Sequence, residues 1–84
     1  MELVKDIVNL NQVRDIFERK KINFVQIYNP QLNKNAELDS DNFKLVKKEI
    51  YSIIKTIPQT QIYLTVNIFE KKMVIETKPF IGSA

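Results

Sequence analysis

Between residues 40 and 57, apolar side chains recur at intervals that one regular structure can bury on a single side. Phe43, Val46, Ile50, Ile53 and Ile57 follow at steps of 3, 4, 3 and 4, with Ile54 widening the stripe. That spacing is the signature of an amphipathic helix lying on a core. Asp39 stands where it can cap this helix, and Leu38 and Phe43 then occupy the hydrophobic-staple positions. Asp41 favours the positive end of the helix dipole, and Pro58 stops the helix because it has no N–H to continue it.

Two stretches carry strand chemistry instead. Ile22-Asn23-Phe24-Val25-Gln26-Ile27-Tyr28 is rich in β-branched and aromatic residues, with Val25 and Ile27 on one face and Phe24 and Tyr28 on the other. Apolar residues on both faces predict a strand covered on both sides. Asn29-Pro30 ends it, and residues 31–38 read as a polar connection. Over 60–69, Ile62, Leu64, Val66 and Ile68 alternate with Tyr63, Thr65, Asn67 and Phe69. A second strand at about 73–80 presents Met73, Ile75 and Thr77 on the matching face, which makes the C-terminal third a β-hairpin. Its link, around Glu70-Lys71-Lys72, has neither Gly nor Asn for a tight primed turn. A loop of about three to five residues with right-handed geometry is expected there.

Residues 2–20 change helical phase. Leu3, Val4, Ile7 and Val8 centre on one direction, whereas Val13, Ile16 and Phe17 centre more than ~100° away, so one straight helix cannot bury both sets. A break at Asn9, which has capping-box spacing to Gln12, predicts a helix over about 10–20. The preceding segment, 2–8, is either a helical turn or a strand. The order (α or β)-α-β-α-β-β describes a small two-layer α+β sandwich with its helices on one sheet face. Were strands 22–28 and 60–69 parallel, the helix between them would make a right-handed crossover.

Composition narrows the function. The 84 residues make one domain, 1–81, followed by a Gly82-Ser83-Ala84 tail that reads as frayed. A chain this short buries only about 60–65% of its unfolded surface, so a subunit interface is a common aid to its stability. Histidine, cysteine and tryptophan are absent and Gly82 is the only glycine. The usual general base, the thiolate nucleophile, soft-metal ligands and glycine-rich phosphate loops are therefore missing. Ser40, Ser52, the lysines and the tyrosines have no histidine to activate them. No enzyme, cofactor or small-molecule substrate is implied. No apolar run approaches the ~18 residues of a membrane span, and the charged N-terminal residues do not suit a secretory signal, so a cytoplasmic location is expected. Ile, Asn and Lys supply 31 residues, a bias expected of an AT-rich coding sequence such as a low-GC bacterium, phage or plasmid carries.

Three constellations remain. Glu37, Asp39 and Asp41 precede the second helix, but no mid-loop glycine and no closing Glu make them an EF-hand, so they read as capping and dipole compensation rather than a metal site. Lys44, Lys48, Tyr51 and Lys55 follow at i, i+4, i+7 and i+11, with Lys47 on the same flank and Glu49 elsewhere. Such a stripe contacts phosphates or an acidic surface, or is a solvated face whose lysine stems cover the core edge. Thirdly, if Ile62, Leu64, Val66 and Ile68 face the helices, then Tyr63, Phe69 and Val74 face away, with Phe80 and either Phe24 and Tyr28 or Val25 and Ile27. A dimer mate or partner protein would cover such a face. Otherwise bases would stack on it beside Lys71, Lys72 and Lys78, or residues 2–8 would fold over it.

The sequence thus points to a non-enzymatic protein-binding module, a homodimer or a partner complex, in the setting of a phage- or mobile-element-encoded modulator or inhibitor of a host protein. Tyr28, Tyr63, Phe69 and Phe80 are its candidate contacts. The alternative is a nucleic-acid-binding module that uses the lysine stripe together with the sheet aromatics.

Overall fold

At Asn9 the chain turns from strand to helix through two reciprocal hydrogen bonds. Asn9 Oδ1 accepts from the Gln12 N–H and Gln12 Oε1 accepts from the Asn9 N–H, both at 2.8 Å. This capping box separates β1 (Asp6–Val8) from α1 (Leu10–Arg19). The phase change in the apolar pattern is therefore a change of element, and the short N-terminal segment is a strand over the residues seen. The computed structural model describes residues 6–57 and 59–79, with side chains described from 9 to 78. Leu3, Val4, Pro58, Phe80 and the 82–84 tail lie outside the described residues.

α1 closes with a Schellman arrangement built on a lysine. The Ile22 N–H donates to Phe17 O at 3.0 Å and the Lys21 N–H to Glu18 O at 3.3 Å, while Lys21 takes φ 54°. Phe17 and Ile22, the accompanying apolar pair, are both buried. The chain then enters β2 (Phe24–Asn29) and β3 (Lys34–Leu38), followed by α2 (Phe43–Thr56), β4 (Thr60–Asn67) and β5 (Lys72–Pro79).

β3 corrects the expectation that 31–38 is a polar connection. It pairs antiparallel with β2 from Val25↔Leu38 to Asn29↔Lys34, so that Ala36 and Leu38 join the core. The strand is five residues of mixed polarity, Lys-Asn-Ala-Glu-Leu, and only its alternate side chains are half-buried. Its hydrogen-bond partner, rather than its own apolar content, makes it a strand.

That pairing also moves the start of α2. With Leu38 taken up by β3, the cap is Asn42, not Asp39: Asn42 Oδ1 accepts from the Lys44 N–H at 3.0 Å, and Ser40 Oγ accepts from the Asn42 N–H at 3.0 Å. Asp41 precedes the cap, and no acidic residue occupies the first turn of α2. The helix runs 43–56 rather than 40–57. Ile57 is its C-cap, only half-buried.

The five strands lie in the order β1-β4-β5-β2-β3. β5 runs parallel to β2, and every other neighbouring pair is antiparallel. The parallel partner of β2 is thus β5 and not β4. The condition for a crossover between 22–28 and 60–69 is not met, because the chain returns through β4 at the far side of β5. Both helices pack on one face of this mixed sheet, a two-layer α+β fold. Val13 and Phe17 from α1 and Val46, Ile50 and Ile53 from α2 form one core with Val25, Ile27, Ile62, Leu64, Val66, Met73 and Ile75. Phe17 and Phe43 join the two helices, their ring centroids 5.3 Å apart.

Two hairpins share one turn design. In each, an Asn at the end of a strand is followed by four loop residues, and the last of these takes positive φ: Asn33 at 51° and Lys71 at 53°. Asn29 Oδ1 accepts from the Leu32 N–H at 2.7 Å, and Asn67 Oδ1 from the Glu70 N–H at 3.1 Å. The Asn33 N–H donates to Pro30 O and the Lys71 N–H to Ile68 O, each at 3.2 Å. The β4–β5 loop has the expected length, but its closing residue is left-handed. β4 therefore ends at Asn67, which leaves Phe69 in the turn.

Asn29 is also fully buried with Thr77. Its Nδ2 donates to Thr77 Oγ1 at 2.9 Å and to Thr77 O at 3.2 Å, and Thr77 Oγ1 donates to Tyr28 O at 3.3 Å. One side chain so locks the β2–β3 turn to β5.

Candidate interaction surfaces

The sheet face turned away from the helices is assembled by register. Tyr63 stands opposite Glu76, Glu76 opposite Tyr28 and Tyr28 opposite Asn35, giving one row across β4, β5, β2 and β3. The next row is Thr65, Val74, Gln26 and Glu37, and beyond it lie Asn67, Lys72 and Phe24. Neither helix covers these side chains. Strand β2 is accordingly buried on one face only, through Val25 and Ile27, and Phe24 and Tyr28 are the pair that faces outward. Residues 6–8 do not fold over this face either; they extend the sheet at the edge of β4.

The aromatic rings on it are held by neighbours. The Lys78 ammonium lies 5.1 Å from the Tyr63 ring centroid and 3.7 Å from Glu76, and Tyr63 Oη donates to Gln61 Oε1 at 3.1 Å. The Lys72 ammonium lies 5.5 Å from the Phe24 ring, and Gln26 Nε2 donates to Asn35 Oδ1 at 3.3 Å. Among the described residues of this face, Lys72 and Lys78 are matched by Glu37 and Glu76, and Glu70 borders the face beside Lys72. Between these charges the face is a mosaic of Tyr, Phe, Val, Asn, Gln and Thr.

The aromatic candidates therefore separate. Tyr28, 40% exposed, and Tyr63, half-buried, lie together on the open face. Phe69 does not: it is 79% exposed at the tip of the β4–β5 turn. Phe80 lies outside the described residues. Sequence reasoning left Gln61 and Glu76 unmarked, although strict alternation along β4 and β5 places them on the face of Tyr63 and Val74; Gln26 joins them only through the pairing of β2 with β5.

The basic stripe sits on the other side of the molecule. Lys44, Lys47, Lys48, Tyr51 and Lys55 are all exposed on α2, with the Lys47 ammonium 5.7 Å from the Tyr51 ring. Arg14 of α1 reaches the same cleft between the helices, beside Phe43, Lys47 and Tyr51. Glu49 points to the opposite flank and pairs with Lys34 at 3.1 Å. Since both helices lie on one sheet face, the stripe and the tyrosine row look in opposite directions across a molecule of 37 × 24 × 21 Å. A single straight ligand cannot touch both.

Among the described residues, no group of three or more His, Cys, Asp or Glu could hold a metal ion, and no helix is long and apolar enough to cross a membrane. Comparison with protein families, curated proteins and solved structures finds no match to this chain.

Proposed function

We propose that this chain is a non-enzymatic protein-binding module whose docking surface is the open sheet face. The observation that carries the proposal is the Tyr63–Glu76–Tyr28 row, with Phe24 and Val74 beside it on a face that neither helix covers. Tyrosine offers large contact area at low entropic cost and keeps a hydroxyl for hydrogen bonding, which suits a protein surface. The balanced charge speaks against phosphates as the main contact there, since a strand stacked on the tyrosines would set its backbone against Glu76 and Glu37. A second copy of the chain or a cytoplasmic host protein fits this chemistry, and the composition suits a product of a phage or mobile element that modulates or inhibits such a host protein.

The test compares wild type with the Tyr28→Ala/Tyr63→Ala double variant, by sedimentation equilibrium and by capture from nuclease-treated host lysate. The expected result is a wild-type homodimer or a stoichiometric complex that persists in ~0.5 M salt, where exposed ion pairs are screened, and that the double variant loses while keeping its fold. A monomer that captures nothing, or a complex the double variant retains, overturns the proposal.

A further inference from the structure

The solvent side of α2 breaks two local rules of helix electrostatics. Lys44 sits in the first turn, at the positive end of the macrodipole, where no acidic residue compensates it. Lys44, Lys47 and Lys48 are then like-charge neighbours at i, i+3 and i, i+4, and Lys55 continues the row. Pairing is available elsewhere in the same fold. Asp15 and Arg19 form an i, i+4 pair at 3.1 Å on α1, and Glu49 pairs with Lys34 on the other flank of α2. Among the described residues the stripe has no carboxylate within ion-pair distance, and Arg14 adds a fifth cation beside Lys47. Each placement weakens the helix slightly, and all of them concentrate positive charge on one side. Local rules broken in concert mark a functional surface.

We infer that this helical face binds the phosphate backbone of duplex nucleic acid, at a site separate from the sheet face and independent of its role. The 14-residue helix is on the order of 21 Å long at 1.5 Å per residue. It presents its cations in a line, to a rod that carries a negative charge every ~1.7 Å. The face offers one aromatic, Tyr51, already engaged by the Lys47 ammonium, and so lacks the row of stacking surfaces that single strands use. Glu18 and Asp41 flank the cleft at the N-terminal end of α2 and bound the contact there.

The probe is a fluorescent random-sequence DNA duplex of ~20 base pairs, titrated by anisotropy from ~50 to ~200 mM salt. The expected log–log slope is about −3 to −4, the value for roughly four neutralised phosphates. Lys44→Glu/Lys48→Glu should weaken binding at least ~tenfold at the lowest salt and flatten the slope by about 2, with Lys44→Gln/Lys48→Gln intermediate. Both variants should melt at or above the wild-type temperature, because repulsion has been removed. Tyr28→Ala/Tyr63→Ala should bind the duplex as wild type does, which separates this site from the sheet face. No binding at ~50 mM salt, or charge variants that bind unchanged, overturns the inference. So does tighter binding of a single strand that depends on Tyr28 and Tyr63, or loss of an acidic protein partner alone from the charge variants.

Discussion

Among the described residues, four that are not glycine sit at positive φ: Lys21 at 54°, Asn33 at 51°, Gln59 at 61° and Lys71 at 53°. An L-residue pays roughly 1–2 kcal/mol for that conformation, less for Asn, whose short side chain bonds locally. Lys21 closes α1 and Lys71 closes the β4–β5 turn, and what both positions need is backbone: the Lys71 carbonyl accepts from the N–H groups of Asn23 and Phe24 at 3.0 and 3.3 Å. Lys21→Gly and Lys71→Gly should therefore each raise stability by about 0.5–1 kcal/mol in urea unfolding, since glycine fits the left-handed region and keeps those bonds. Asn29 is the opposite case, a side chain with no substitute. Removing its amide leaves the Leu32 N–H and the Thr77 groups without their partner at a fully buried site. Asn29→Ala should cost about 2–3 kcal/mol, and amide hydrogen exchange should accelerate at Leu32 and along β3.

At the scale of elements, α2 shows how far periodicity reaches. Val46, Ile50 and Ile53 are fully buried, as their spacing requires, and Phe43 and Ile54 pack at the edge of the core. Ile50→Ala should cost on the order of 2–4 kcal/mol, checked by chemical denaturation; a change below ~0.5 kcal/mol would mean that another face of the helix carries the core. The bounds of α2 were less legible. Four residues, Asp39, Ser40, Asp41 and Asn42, can each cap a helix, and only the pairing of Leu38 with Val25 leaves the last of them at the start. β3 was illegible from its own composition, because a short edge strand of mixed polarity looks like a loop. Its turn has the geometry of the β4–β5 turn. Asn29 to Lys34 and Asn67 to Lys72 have the same plan, with a side chain that caps the loop and a left-handed residue that closes it.

At the scale of the whole molecule, a sheet with helices on one side has two chemically distinct surfaces, a tyrosine mosaic carrying charges of both signs and a cationic helical face. Their independence is testable. Sedimentation at micromolar concentration should give twice the 9.9 kDa chain mass if the sheet face pairs with a second copy, and Tyr28→Ala/Tyr63→Ala should return it to the monomer mass. Reversing Lys44 and Lys48 should leave that mass unchanged. The sequence alone determined the features that rest on neighbours within a few residues. The capping box at Asn9, the stripe on α2 and the alternation that turns Tyr63 outward each follow from one period or one local hydrogen bond. The tertiary structure decided the rest: which strand β2 joins in parallel, that 34–38 is a strand at all, and that the lysines and the tyrosines look in opposite directions. Those outcomes depend on partners far apart in sequence, as in the bond from Asn29 to Thr77 across 48 residues. The free energy of such contacts appears only when the whole sheet forms, and no local pattern carries it.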